Sequence, residues 1–300
     1  QYSAMNAIKK NVKSEEDYIL VSVIGVGYNG CKTVNSLYGK SIHTSFAICD
    51  AYLESLNESP VEKKVLLRQD NNIIPPQDIS KMLHHSSLMN IILVNIDNTI
   101  SMQAACQLAK ASKELSRLTL AIVSMPSLVE YDPKKIRMQR RYEELKSHVD
   151  CIFVAESTEN STSVEEYLAN LDNTLVEYAY SLIEMGTIPN LVCLDINNIK
   201  FILKNSGDAV LGIGSGIRVS KAINEAINNL RHTGHAISNA KRMIVFLIYK
   251  KWGQEELKKN ISDLNAFFNQ YDDSVEITWG MIVDENMRED VKIKIIGCCF

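Results

Sequence analysis

Three hundred residues, 46% of them apolar and 23% charged, fit an ordinary globular chain of one large domain or two modest ones. The net charge of −4 carries no nucleic-acid footprint, no apolar run reaches the roughly 18 residues that a membrane span needs, and no signal peptide is visible. Seven cysteines, at 31, 49, 106, 151, 193, 298 and 299, show no CxxC and no zinc spacing, which reads as reduced core thiols in a cytoplasm and no metal site.

In chain order, residues 1–16 read as a polar helix or a loose arm, and the first residue, Gln1, fits a trimmed start. Ile19 to Ile24 is a β-branched apolar run, predicted as a buried strand, followed by a helix over 30–38. A second strand spans 45–49 and ends at Asp50. Residues 57–77, with three prolines, read as loop. A strand over 90–95, a helix over 99–115 and a strand over 118–123 follow. Asp132 caps a helix with Pro133 at its first position, running to about His148, and 151–155 is a fifth strand. This alternation predicts an open parallel sheet with helices on both faces. Apolar positions 171, 175, 176, 179, 182 and 183 then mark a long helix leading away from the sheet. After Pro189 come a short helix near 196–203, a strand at 208–213, a helix at 217–230, a strand at 243–249, a helix at 254–268, and strands at 274–283 and 291–298. The short link between the last two predicts an antiparallel pair in a mixed sheet.

Gly25, Gly27 and Gly30 stand at GxGxxG spacing where the first strand turns into a helix. Glycines there let the backbone approach a ligand, and the helix start favours an anion. The pattern reads either as a plain tight turn or as a phosphate site. Asp50 lies 20 residues beyond Gly30, where a dinucleotide-binding domain carries its ribose carboxylate, so an NAD(P)-binding oxidoreductase is one reading; a loop-capping Asp50 is the other.

A second reading comes from resemblance. Residues 23–35, with Gly25-Val26-Gly27-Tyr28-Asn29-Gly30 at their centre, resemble the first phosphate loop of the tubulin/FtsZ family, VIGVGGGGGNAVN. Residues 47–56 resemble AVNTDAQAL, residues 118–126 LTVAVVTKPF, and Glu130 with Lys134–Met138 resembles FEGKKRM. Residues 144–150 resemble ELSKHVD, residues 207–216 GYAMMGSGVASG, and residues 291–297 the closing strand RVTVVATG. The matches run in order from about 19 to 297, and a dehydrogenase does not predict the later ones. The resemblance implies a nucleotide domain over 1–162, a connecting helix over 163–190 and a mixed-sheet domain over 191–300. It implies guanine nucleotide (GTP or GDP), which a magnesium ion can accompany, and head-to-tail self-assembly, with related FtsZ-like proteins as further partners. Gly25, Gly27, Tyr28, Asn29, Gly30, Asp50, Thr99, Glu130, Arg137 and Asn173 fall at nucleotide-contacting positions. The family usually adds a flexible C-terminal tail that recruits membrane partners; this sequence ends at Phe300 after its last strand, so no tail is expected unless it was cut away.

The sequence also departs from the family. Its phosphate-holding GGGTGTG loop aligns with Asp97–Ala104, which has no glycine, and Asp97, Asn98 or Thr99 can instead cap a helix. The catalytic NVDFADV aligns with Cys193–Ile199: Asp195 keeps the first acid, Asn198 replaces the second, and an amide has no carboxylate basicity. Glu156 stands where a ribose-contacting Asn is usual, and Asp172-Asn173 reverses the guanine-reading pair. Tyr28 either stacks on a base or blocks the phosphate pocket. His84-His85 and the loop histidines 232 and 235 read as solvated. Lys134, Lys135, Arg137, Arg140 and Arg141 read as a solvated basic face, or as a phosphate patch. The expectation is a filament-forming, cell-division or cytoskeletal protein with hydrolysis impaired or absent. An active GTPase with substitute groups is the alternative.

Overall fold

The computed structural model describes residues 19–68, 73–125, 133–155, 163–188, 194–230 and 235–300. Among these residues ten strands form one sheet, in the order β3-β2-β1-β4-β5-β6-β7-β10-β8-β9. They are β1 (Val21–Val26), β2 (Thr44–Asp50), β3 (Lys63–Leu66), β4 (Met89–Asn95), β5 (Leu118–Ser124), β6 (Cys151–Ala155), β7 (Gly207–Gly216), β8 (Arg242–Tyr249), β9 (Glu276–Val283) and β10 (Val291–Cys298). The helices are α1 (Gly27–Leu37), α2 (Leu53–Asn57), α3 (Pro76–Met82), α4 (Thr99–Glu114), α5 (Pro133–Lys146), α6 (Val164–Thr187), α7 (Ile196–Leu203), α8 (Val219–Asn229) and α9 (Gln254–Phe268).

Strands β1 to β6 pair parallel throughout. Their apolar runs are continuous because both faces are covered. Side chains alternate across the sheet. Val21 and Val23 of β1, Met89, Ile91 and Leu93 of β4, and Leu118, Leu120 and Ile122 of β5 join one core with α1, α6 and α7. Ile24 and Val26, Ile92 and Val94, and Ala121 and Val123 join the other, with α3, α4 and α5. Helix α1 buries Gly27, Gly30, Cys31, Val34 and Leu37, the stripe of an amphipathic helix. Helix α6, 24 residues long, buries Leu171, Leu175, Ala179, Leu182 and Ile183. Among the described residues no helix is long and apolar enough to cross a membrane.

Two expectations need correcting. The last two strands are not paired. β10 lies between β7 and β8, antiparallel to both, and β9 lies outside β8, parallel to it. Strand β10, buried except at Lys292, takes the interior, while β9, half-exposed over its first residues, takes the edge. Helix α9 supplies the crossover that a parallel β8–β9 pair requires, and the seven-residue link 284–290 is long enough to step across one strand. Residues 57–77 are also not all loop: Lys63–Leu66 adds a short edge strand to β2, its lysines blunting the edge.

The two halves share a sheet and a core. β6 pairs parallel with β7 through Cys151, Ile152 and Phe153. The core on the α6 side continues from β1 to Ala209, Leu211, Ile244, Phe246, Ile248 and Ile296. A third cluster, under α8 and α9, covers the opposite face of the C-terminal strands.

Candidate functional site

β1 and β4 are neighbours, and their chains leave in opposite senses: β1 leads through α1 to β2 on one side, β4 through α4 to β5 on the other. The two helices lie on opposite faces of the sheet. A crevice opens where strand order reverses, at the carboxyl ends of these strands, the usual ligand position in such sheets.

The three glycines have separate jobs. A Cβ at Gly25 would lie 2.4 Å from the Gly30 carbonyl oxygen, and one at Gly30 would lie 2.4 Å from that of Leu93. These two glycines let α1 pack tightly on β1 and β4. Gly27 begins α1 with φ of +72°, and a Cβ there would lie 2.3 Å from Ser101 Oγ. The beginnings of α1 and α4 therefore meet at the crevice. Helix α1 has no side-chain cap and no acid in its first turn. Its first amides are aimed at the crevice with the positive end of the helix dipole behind them, a geometry suited to an anion. Tyr28, in this turn, is 64% exposed. The Asn29 carbonyl accepts the Thr33 hydroxyl at 2.9 Å.

The start of α4 is different. Asn98 caps it, accepting from Ser101 N at 3.0 Å, and Asn95 accepts from Asp97 N at 2.8 Å. Arg141 of α5 reaches in and donates to the carbonyls of Ile96 (3.1 Å) and Asp97 (2.6 Å) and to the hydroxyl of Thr99. The glycine-free segment is thus a closed, capped helix start. Arg141 is not part of a merely solvated face; it clamps this loop. Arg137 is exposed on the same helix.

Asp50 is buried, with both oxygens engaged: one accepts from Ala51 N at 2.7 Å, the other from the Ser55 hydroxyl at 2.5 Å. This is the loop-capping role. Beside it, burial and the Asp50 charge push the Cys31 thiol up to about 12, so Cys31 is an inert core thiol.

A groove runs between α1 and α6. Lys40, Asn173, Val176, Glu177 and Tyr180 line a cavity of about 550 Å³. Nearer the crevice, Lys32 and Asp172 form an ion pair of 2.6 Å across the groove. The Asp172 hydrogen bond raises the Lys32 ammonium above its ordinary value. Asn173 is exposed beside this pair.

Asp195 and Asn198 lie elsewhere. Asp195 caps α7, accepting from the amides of Asn197 (2.8 Å) and Asn198 (3.0 Å), and the Asn198 side chain accepts from Asp195 N at 3.0 Å. This reciprocal capping box gives Asn198 a structural role that an amide fills well. Helix α7 sits at the amino edge of the parallel sheet. Lys200 donates to the Ser116 carbonyl just before β5, and a Cβ at Gly186, near the end of α6, would touch Val21 and Met89, the first residues of β1 and β4. The six residues of β1 put roughly 20 Å between this edge and the crevice. Within one chain Asp195 does not reach a ligand at α1.

Glu130, Glu156 and Cys193, like residues 1–16, lie outside the described residues. Among the described residues no group of three His, Cys, Asp or Glu side chains gathers for a metal ion. Lys32, Ser101 and the clamping role of Arg141 emerge only in the folded chain. Arg141 carried a signal only as part of a basic helix face; Lys32 and Ser101 carried none, because their partners are remote in sequence.

No family model matches the chain. It is 25% identical to the cell division protein FtsZ of Porphyromonas gingivalis over 94% of this chain and 67% of that one. It superposes on the FtsZ dimer of M. jannaschii with a TM-score of 0.83 at 19% identity, covering 99% of this chain and 91% of that one. The GTPγS-bound CetZ2 protofilament of Haloferax volcanii gives 0.69 at 14% identity, with 93% of each chain covered.

Proposed function

We propose that the chain is a divergent member of the tubulin/FtsZ family, a guanine-nucleotide-binding protein that assembles head to tail and hydrolyses its nucleotide poorly or not at all. The observation that carries this reading is the opposed placement of the two site halves. A phosphate-ready helix start lies at one edge of the sheet, and the acid-bearing segment at the other. A site built from both needs two copies. Exposed apolar residues at both edges, Tyr28, Tyr52 and Leu53 at the crevice and Phe201 and Leu115 opposite, fit such stacking.

The residues present fit part of the nucleotide. The uncapped start of α1 would hold phosphate through backbone amides around Tyr28, Asn29 and Gly30. A bound magnesium ion leaning on phosphate oxygens would need few protein ligands. The groove beside Asn173 would take the base, but Asp172 must first part from Lys32. Tyr28, exposed at this turn, would offer its ring to a base. The second phosphate loop fits poorly, because Asn98 and Arg141 already occupy the groups around 96–101. Each lost charge-assisted contact is worth roughly 1.5–3 kcal/mol, so two would weaken binding about a hundredfold or more relative to a glycine-rich loop.

Chemistry suffers on the other face. Asp195 holds its carboxylate on two amides of its own helix, and Asn198 has no basicity to lend to a water. A positioned acid–base group contributes roughly 10²–10⁴-fold. The test is phosphate release from GTP at high protein concentration, for the chain and for Asn198→Asp, beside GTP binding by calorimetry. Weak binding with negligible turnover is expected. Robust, concentration-dependent turnover by the unmodified chain would favour the alternative, an active GTPase.

A further inference from the structure

The C-terminal half contains a second concave feature, remote from the nucleotide crevice. It lies where β7 runs into α8 and β8 into α9, and it encloses about 420 Å³. Its wall is cationic: Arg218, Lys250, Lys251 and Lys259 face it, against Glu256 and Asp290. The whole chain carries a net −4, so this is a local inversion of charge.

Most of these charges have structural work. Arg218 pairs with Asp263 at 3.2 Å. Lys250 donates to the Arg288 carbonyl at 2.8 Å and pairs with Asp290 at 3.7 Å. Glu256 accepts from Gly253 N at 3.1 Å and so caps α9. The start of α8 is closed by Asn260 and Asp263, which accept from Val219 N and Ser220 N. What remains is Lys251 and Lys259, both exposed and in no ion pair with a described residue. Beside them Trp252 stacks on Tyr249 with ring centroids 4.0 Å apart, a rigid aromatic wall, and Ile217 is 67% exposed on the rim.

We propose that this cleft is a docking site for an acidic peptide segment bearing one apolar side chain. Uncompensated cations on two different elements suit carboxylates spaced along an extended chain rather than one compact anion. The fixed indole and Ile217 supply the apolar contact that a peptide anchor fills, since interface energy concentrates on such anchors. Interleaved acids and a concave shape disfavour a flat anionic bilayer, which rewards an all-basic surface.

Trp279→Phe leaves Trp252 as the single tryptophan, and its fluorescence reports on the cleft. The probes are an Asp/Glu-rich peptide with a central Leu, the same peptide with Ser in that place, inorganic phosphate, and phosphatidylglycerol vesicles. The expected result is a saturable response to the Leu peptide, weaker with the Ser peptide, and lost as ionic strength rises. Lys251→Glu with Lys259→Glu should weaken it about tenfold or more. Both lysines are exposed, so the variant should keep its circular dichroism and its nucleotide binding at α1, which separates this site from the nucleotide reading. An unchanged affinity in that variant overturns the proposal. So does the absence of a peptide response, an equal response to phosphate alone, or binding to vesicles without binding to peptide.

Discussion

Gly27 shows how one residue can serve geometry and ligand together. Its φ of +72° costs a side-chain-bearing residue roughly 1–2 kcal/mol, and a Cβ would press on Ser101 Oγ besides. Gly27→Ala should therefore destabilise the fold by at least about 1–2 kcal/mol in urea melts. It should weaken GTP binding by more than that loss explains, because Ser101 must be displaced at the mouth of the crevice. Micromolar or tighter GTP binding unchanged in this variant, by calorimetry, would argue against a phosphate site at α1. Gly25 and Gly30, though part of the same motif, are held by packing, so their replacement tests the fold rather than the site.

At the scale of elements, the contrast between the two helix starts decides what the crevice can do. Helix α1 keeps its first amides free of side-chain caps, whereas α4 is closed by Asn98 from within and by Arg141 from α5. Arg141→Ala would leave the buried Ile96 carbonyl without its charged donor. A loss of about 1–3 kcal/mol is expected. The signature is local: faster amide hydrogen exchange over 96–101 with little change in β1 or α1. Uniform acceleration across the sheet would mean that Arg141 is not a clamp on this loop.

At the scale of the molecule, the long helix α6 is bound into the C-terminal strands by charge as well as by apolar packing. Lys294 of β10, 1% exposed, donates to Glu184 of α6, and Lys292 pairs with Glu177 at 3.2 Å. Burial pulls the Lys294 ammonium below its ordinary value, with the Glu184 charge opposing. Removing Glu184 leaves a buried, unpaired cation, so Glu184→Ala should cost about 3–5 kcal/mol, and Glu184→Leu with Lys294→Met should cost less than the single change. In the single variant the folded-state lysine value falls further still. The unfolded chain then holds the proton more tightly than the folded one, and stability rises with pH through the interval below the ordinary lysine value. A single variant as stable as the double, or one whose stability falls over that interval, would contradict this account.

Most of the secondary structure, a parallel sheet built from five of the first six strands (β3 being missed), and the candidate phosphate turn were legible from the sequence, because each rests on short-range chemistry. Buried strands declare themselves by continuous apolar runs, helices by their stripe and caps, and the turn by glycine spacing. The family resemblance lay in similarly local motifs. What tertiary structure alone decided is every relation between distant residues. β10 slides between β7 and β8, since burial rather than proximity in the chain selects a strand's neighbours. Lys32 finds Asp172 140 residues away and bars the groove beside α6. Arg141 reads as a solvated charge until α5 is laid against the loop 42–45 residues before it. The separation of Asp195 from the crevice, too, exists only once β1 is stretched between them, because distance along a chain says nothing of which edge of a sheet a residue occupies.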